Sequence, residues 1–158
     1  MRVSFLLLAA MLSCARPIPQ QPVTPPSVAA SGPSVTFPDG HLVRVEVVAD
    51  DESRAQGLMF RDRVREGTGM LFIFPQVDEY SFWMKNTLIP LDMIWIDDAK
   101  RVVHVKHDVP PCKADPCPSY APGVAARYIL EVGAGVAKKH RIETGSTLVF
   151  EGVVKPPG

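Results

Sequence analysis

The sequence predicts a mainly β fold, a compact antiparallel barrel or sandwich with two short helices. About seven short apolar runs, rich in β-branched and aromatic residues, recur between turn-forming residues, as expected for strands. Only residues 50–57 and 134–140 have the pattern of helices, and both stretches are short. A chain of 158 residues has the length of one ordinary domain. Together these observations predict one β domain.

The N-terminal segment has the pattern of an export signal. Arg2 provides a positive charge, and residues 3–12 form an apolar run that is too short to span a membrane. The Met-Leu-Ser-Cys sequence that ends the segment resembles a bacterial lipobox, so residues 1–14 are predicted to be a signal peptide with Cys14 as the lipidated residue. Ala15 favours outer-membrane sorting by the same resemblance. The alternative is an ordinary secretory signal in which Cys14 has no role.

Composition divides the rest of the chain. Residues 15–33 consist mostly of Pro, Ser, Gln, Ala and Val without a periodic apolar face, which is typical of a stiff, solvated tether. Residues 34–153 are predicted to form the β domain, and residues 154–158 a frayed tail. The formal net charge of zero gives no electrostatic reason to expect nucleic acid as a partner. We therefore expect a monomer anchored on the periplasmic side of the cell envelope.

The first predicted elements lie at the start of the domain. Residues 34–37 are followed by the turn sequence Pro38-Asp39-Gly40, and residues 41–49 then alternate valines with charged side chains. This alternation is typical of a half-buried strand that follows a hairpin turn. Residues 50–57 begin with acidic N-cap candidates and end in glycine, which predicts a short helix.

The later elements follow from the remaining apolar runs. Residues 69–74 form a continuous apolar run, which predicts a central strand that ends at Pro75. Cys112 and Cys117 lie in a predicted proline-rich loop, residues 108–126, and in an exported protein such a pair is expected to form a disulfide. The other predicted strands span 82–84, 93–96, 101–107, 127–132 and 147–152, and the second helix spans 134–140.

Polar residues between the central apolar runs are the first candidates for a ligand site. Lys85 and Asn86 follow Trp83, and Asp92 precedes the next apolar run. Polar groups at the joints between strands often form binding sites, so all four are candidate ligand-binding residues. The alternative is a Lys85–Asp92 salt bridge, with Asn86 shaping the turn.

Arg54, Arg61 and Glu131 complete the candidate set. A guanidinium group binds carboxylates and phosphates through two parallel hydrogen bonds, although a solvated helix face explains Arg54 equally well. Strand alternation places Glu131 on the face of Ile129, where its carboxylate reaches either solvent or a cavity shared with Arg54 or Arg61. Asp92 and Glu131 are also a possible acid/base pair.

Several of these residues occur in motifs that resemble one family, the domain of unknown function 192, also called uncharacterised protein family 0127. The resemblance covers about residues 41–152. It implies a jelly-roll-like β domain and brings no established activity. The motifs are Arg54-x-x-Gly57-Leu58-Met59-x-Arg61, Gly69-Met70-Leu71-Phe72, Phe82-Trp83-Met84-Lys85-Asn86-Thr87-x-x-Pro90-Leu91-Asp92 and Leu130-Glu131-Val132-Gly133-Ala134-Gly135.

Three functional hypotheses remain open from the sequence. The first is a lipid-tethered, non-catalytic binding or accessory module with a small polar pocket for a small molecule or an envelope protein. The second is an envelope hydrolase or lyase that uses Asp92 or Glu131 with Lys85. The third is a metal-handling protein with thioether ligands for Cu(I), although its methionines have the apolar neighbours of core residues. The first is preferred because no complete catalytic motif occurs, and we expect neither a cofactor nor a resident metal.

Overall fold

The computed structural model describes residues 32–154 of the chain. The predicted signal peptide, Cys14 and nearly all of the predicted tether lie outside the described residues, as does most of the predicted tail. The strands are β1 (Ser34–Thr36), β2 (Leu42–Val48), β3 (Thr68–Asp78), β4 (Phe82–Trp83), β5 (Leu91–Ile96), β6 (Val102–Val109), β7 (Ser119–Tyr120), β8 (Ala126–Gly133) and β9 (Val149–Glu151). The helices are α1 (Asp51–Gln56) and α2 (Val136–Lys139).

Seven strands form one curled sheet in the order β6-β5-β8-β3-β2-β1-β9, and β4 pairs with β7 in a small second sheet. Every pair in the large sheet is antiparallel except β2–β3, which is parallel because α1 lies in the crossover between them. A bridge between Arg101 and Thr147 joins the segments that precede the two edge strands, so the sheet curls into a half-barrel. The predicted mainly β fold with two short helices is therefore confirmed.

The two faces of the large sheet carry separate cores. The first core contains Val35, Val43, Leu71, Ile94, Leu130 and Ala137, with α2 packed against the strands. The second core contains Leu58, Met70, Phe72, Met84, Met93, Trp95 and Ile129. Alternating residues of β3, β5 and β8 point to opposite faces, so each central strand contributes to both cores.

Local sequence explains where the elements of the structure agree with the predicted elements and where they differ. The Asp50 side chain caps α1 by accepting a 2.8 Å hydrogen bond from the Ser53 amide, and Gly57 ends the helix with a positive φ of 48°. Strand β3 continues past Pro75 through an irregular register, rather than ending there. The predicted loop 108–126 contains β7, and Cys112 and Cys117 are joined by a disulfide, as expected.

Among residues 32–154, no helix is long and apolar enough to cross a membrane.

Candidate functional site

The salt bridge between Lys85 and Asp92, which was the alternative to a ligand site, does not form. Asp92 is fully buried, and its two carboxylate oxygens accept hydrogen bonds from the Asp108 amide at 2.9 Å and the Ala137 amide at 2.8 Å. Lys85 instead lies 3.5 Å from the exposed Asp115 carboxylate. Asp92 therefore joins the end of β6 and the start of α2 to β5, which is a structural role.

Asp92 and Glu131 are not brought together either. In the β5–β8 register Asp92 is opposite Val132, whereas the next residue, Met93, is opposite Glu131. Neighbouring residues of a strand point to opposite faces of the sheet. Asp92 therefore belongs to the face of the first core and Glu131 to the face of the second core. An acid/base pair of these two carboxyl groups has no support in this geometry.

Glu131 lies in a row of five side chains that crosses the sheet. The paired positions are Glu46 on β2, Met70 on β3, Glu131 on β8, Met93 on β5 and Lys106 on β6. The side chain of Glu131 is only 4% exposed, and within residues 32–154 it has neither a hydrogen-bond partner nor a salt bridge. Burial among apolar neighbours raises the pKa of this carboxyl to about 8, because the charged form loses its hydration.

A narrow cleft connects Glu131 to the surface. Its cavity volume is about 30 Å³, which is room for about one or two water molecules. One wall is the segment from Arg54 to Met59, and the other is formed by Phe82, Trp83, Lys85 and Thr87. Trp83 is 51% exposed at the mouth, and the Lys85 ammonium lies 5.6 Å from its ring centroid. The cleft thus combines an exposed aromatic ring with a buried carboxyl group.

Two of the candidate residues shape the walls of this cleft. The Arg54 guanidinium donates hydrogen bonds to the carbonyls of Ala49 and Ile73, and it pairs with Asp51, so it fastens α1 to β3. Asn86 adopts a left-handed φ of 54°, and its carbonyl accepts a 2.8 Å hydrogen bond from the Phe60 amide. Both contacts hold the chain segments that cover Glu131.

Arg61 lies in a different depression, on the β2 side of the same face. It donates two hydrogen bonds to the Glu46 carboxylate, at 2.9 and 2.7 Å, and these bonds raise the pKa of the guanidinium. The candidate residues on the face of the second core therefore divide between two places, and Asp92 is buried on the opposite face. Trp83, Lys85 and Glu131 line the cleft with Arg54, whereas Arg61 is outside it.

Sequence reasoning missed several residues that line the depression or that adjoin the cleft residues in sequence. Phe60 and Leu88 are large, exposed apolar residues that follow the Arg54–Met59 wall and Thr87, respectively. An exposed apolar residue cannot be distinguished from a core residue by its type alone. The alternation of arginines at positions 61, 63 and 65 was a visible signal, and all three line the depression around Arg61.

The metal hypothesis receives no support from the described side chains. Among residues 32–154, no group of three or more His, Cys, Asp or Glu side chains could hold a metal ion. Met70, Met84 and Met93 are buried in the second core, where their flexible side chains fill space between the strands.

The comparisons with known proteins agree on the fold and the family. No curated protein matches the chain. A solved protein of unknown function from Novosphingobium aromaticivorans is 30% identical with a TM-score of 0.67, and the match covers 74% of this chain and 82% of that one. A solved protein from Sinorhizobium meliloti, described as a candidate transcription regulator, is 31% identical with a TM-score of 0.67, over 77% of this chain and 93% of that one. A family model described as Uncharacterized ACR, DUF192, matches residues 34–150, and the chain therefore belongs to this family.

Proposed function

We propose that the protein is a non-catalytic binding module of the cell envelope, tethered by a lipid on Cys14, that holds an amine group of an envelope component in the cleft ending on Glu131. The observation that carries the proposal is the Glu131 carboxyl group. It is buried, it has no partner within residues 32–154, and it lines a cleft that opens to solvent. A buried polar group without a partner is costly, and such groups are concentrated at functional sites.

The chemistry of the cleft favours a cationic head group. An exposed tryptophan attracts cations through its ring face, and because the Lys85 ammonium lies 5.6 Å from the Trp83 centroid, an ammonium ligand would take this position by displacing the Lys85 side chain toward solvent. A carboxylate at the base of the cleft would complete an ion pair with an ammonium group that enters from the Trp83 side. The cavity of about 30 Å³ admits only a small head group, so the rest of the ligand would remain at the mouth.

The high pKa of Glu131 couples this binding to pH. With a pKa of about 8, only about one tenth of the carboxyl groups are ionised at pH 7, and about nine tenths at pH 9. An ammonium ligand binds the ionised form of the carboxyl group. Its apparent affinity is therefore proportional to the fraction of Glu131 carboxyl groups that are ionised. Affinity should therefore increase about tenfold between pH 7 and pH 9, and it should fall again above about pH 10, where an alkylammonium ligand loses its own proton.

Isothermal titration with three ligands of matched size tests the proposal. We expect n-butylammonium to bind the protein, and n-butanol and butyrate to bind at least about tenfold more weakly. Glu131→Gln should abolish the preference for the ammonium and its pH dependence. Glu151→Gln, which changes an exposed glutamate on β9, is the matched control and should behave as the wild type. Equal affinity of the wild type for all three compounds would refute the proposal.

One specific observation favours the enzyme hypothesis as a second candidate function. A carboxylic acid with a pKa of about 8 is protonated at neutral pH, as a general acid must be, and Lys85 lines the same cleft. Catalysis would then rely on Glu131 and Lys85 without Asp92. Release of soluble fragments from purified peptidoglycan by the wild type, and not by Glu131→Gln, would favour this second function over binding.

A further inference from the structure

A broad depression beside the Glu131 cleft lies over the crossover between β2 and β3. Its volume is about 530 Å³, which falls within the range of small-molecule sites. Arg44 and Glu46 of β2 form one side, and the segment from Arg61 to Arg65 forms the other. Leu58 lines both this groove and the Glu131 cleft, so the two lie next to each other on the face of the second core.

The groove carries an excess of positive charge. Four arginines line it, Arg44, Arg61, Arg63 and Arg65, against the two carboxylates of Glu46 and Asp62. Arg61 is paired with Glu46, whereas the other three arginines form no salt bridge with any residue between 32 and 154. Several unpaired guanidinium groups around one concave surface attract an anion from all sides.

We propose that this groove is a binding site for a phosphate group. A phosphate presents several oxygens to several guanidinium groups at once, and each guanidinium can donate two parallel hydrogen bonds. The Glu46–Arg61 pair fixes one guanidinium at the wall, with distances of 2.9 and 2.7 Å. Apolar side chains of Leu58 and Val64 line the same groove and provide contacts for the uncharged part of a phosphate ester.

The phosphate could belong to a soluble ester or to the head group of a lipid, and both present the same chemistry to the groove. The groove and the Glu131 cleft have no charged lining residue in common. Failure of one proposal therefore leaves the other testable, because Glu131→Gln removes no groove arginine and an arginine variant removes no carboxyl group from the cleft.

Binding of diphosphate, measured by isothermal titration on the full chain, tests the site. We expect diphosphate to bind and the double variant R63Q/R65Q to weaken its affinity at least about tenfold. The control R101Q/K138Q removes the same number of charges at exposed positions outside the groove and should change affinity less than about twofold. Thermal melts should show that both variants remain folded, because all four side chains are exposed.

The outcomes are distinguishable. The proposal would be overturned if the wild type did not bind diphosphate. It would also be overturned if both double variants weakened binding equally, since this would indicate diffuse charge rather than a site.

Repeating the titration on vesicles identifies the source of the phosphate. Weaker diphosphate binding on phosphatidylglycerol vesicles than on phosphatidylcholine vesicles would indicate an anionic lipid head group. Unchanged binding would indicate a soluble phosphate ester.

Discussion

Replacing Glu131 by glutamine should change how the stability of the domain depends on pH. The pKa of this carboxyl is raised from 4.5 to about 8 in the folded protein, because burial disfavours its charged form. Between these two values the folded state binds more protons than the unfolded state. The free energy of unfolding therefore falls as pH rises through this window, and this contribution is fully present below about pH 4.5 and lost by about pH 8.

The magnitude follows from the size of the shift. A displacement of about 3.5 pH units, at about 1.4 kcal/mol per unit, corresponds to about 5 kcal/mol of stability lost between pH 4.5 and pH 8. Glutamine has nearly the same shape and does not titrate, so Glu131→Gln lacks this loss. The variant should gain about 5 kcal/mol relative to the wild type as pH rises across the window. Any constant cost of the amide cancels from this difference.

Urea unfolding curves at intervals from pH 4.5 to pH 9 measure this difference, with the fluorescence of the fully buried Trp95 as the probe. All other titratable groups are common to the two proteins, so their contribution cancels when the two curves are subtracted. The control Glu151→Gln alters an exposed carboxyl and should follow the wild type at every pH. Parallel curves for the wild type and Glu131→Gln would mean that the Glu131 carboxyl is solvated, and the reasoning would fail.

Three further predictions concern the anchor, Asp92 and the disulfide. Cys14→Ser should release the protein from the membrane as a soluble periplasmic species, and wild-type protein that incorporates no radiolabelled palmitate would contradict the lipid anchor. Asp92→Ala should cost about 3–5 kcal/mol in a denaturant melt, because it leaves two backbone amides without their acceptor, whereas Lys85→Met should cost about 0–1 kcal/mol. The two losses should add in the double variant, and recovery of stability there would indicate a direct ion pair. Reducing the Cys112–Cys117 disulfide should lower stability by about 2 kcal/mol, because the loop that it closes is short, and an unchanged melt under reductant would contradict this expectation.

Local patterns in the sequence predicted most of the elements correctly. The valines that alternate in β2 are buried on one face, and the turn at Pro38-Asp39-Gly40 joins two antiparallel strands. Each of these features depends on neighbouring residues only, so periodicity and turn chemistry are sufficient to find it. The parallel pairing of β2 with β3 was not predictable in this way, since it depends on how the intervening helix returns the chain to the sheet.

The candidate site depends on contacts between distant segments. Alternation correctly placed Glu131 on the face of Ile129. Its burial, however, results from the Arg54–Met59 wall and from β4, which are far away in sequence. Closeness in sequence was misleading for Lys85 and Asp92, because strand register turns Asp92 toward the opposite core. Residue type therefore identified the polar and charged candidates for a site. Only the strand register showed which of these candidates share a surface.

The most direct measurement of the central claim is an NMR titration of the Glu131 side-chain carboxyl, with and without n-butylammonium. The carboxyl should titrate with a pKa of about 8 in the protein alone. Bound n-butylammonium should lower that pKa by about one unit or more, because a nearby positive charge stabilises the carboxylate. A pKa that saturating n-butylammonium does not move would contradict the assignment of this cleft as an amine-binding site.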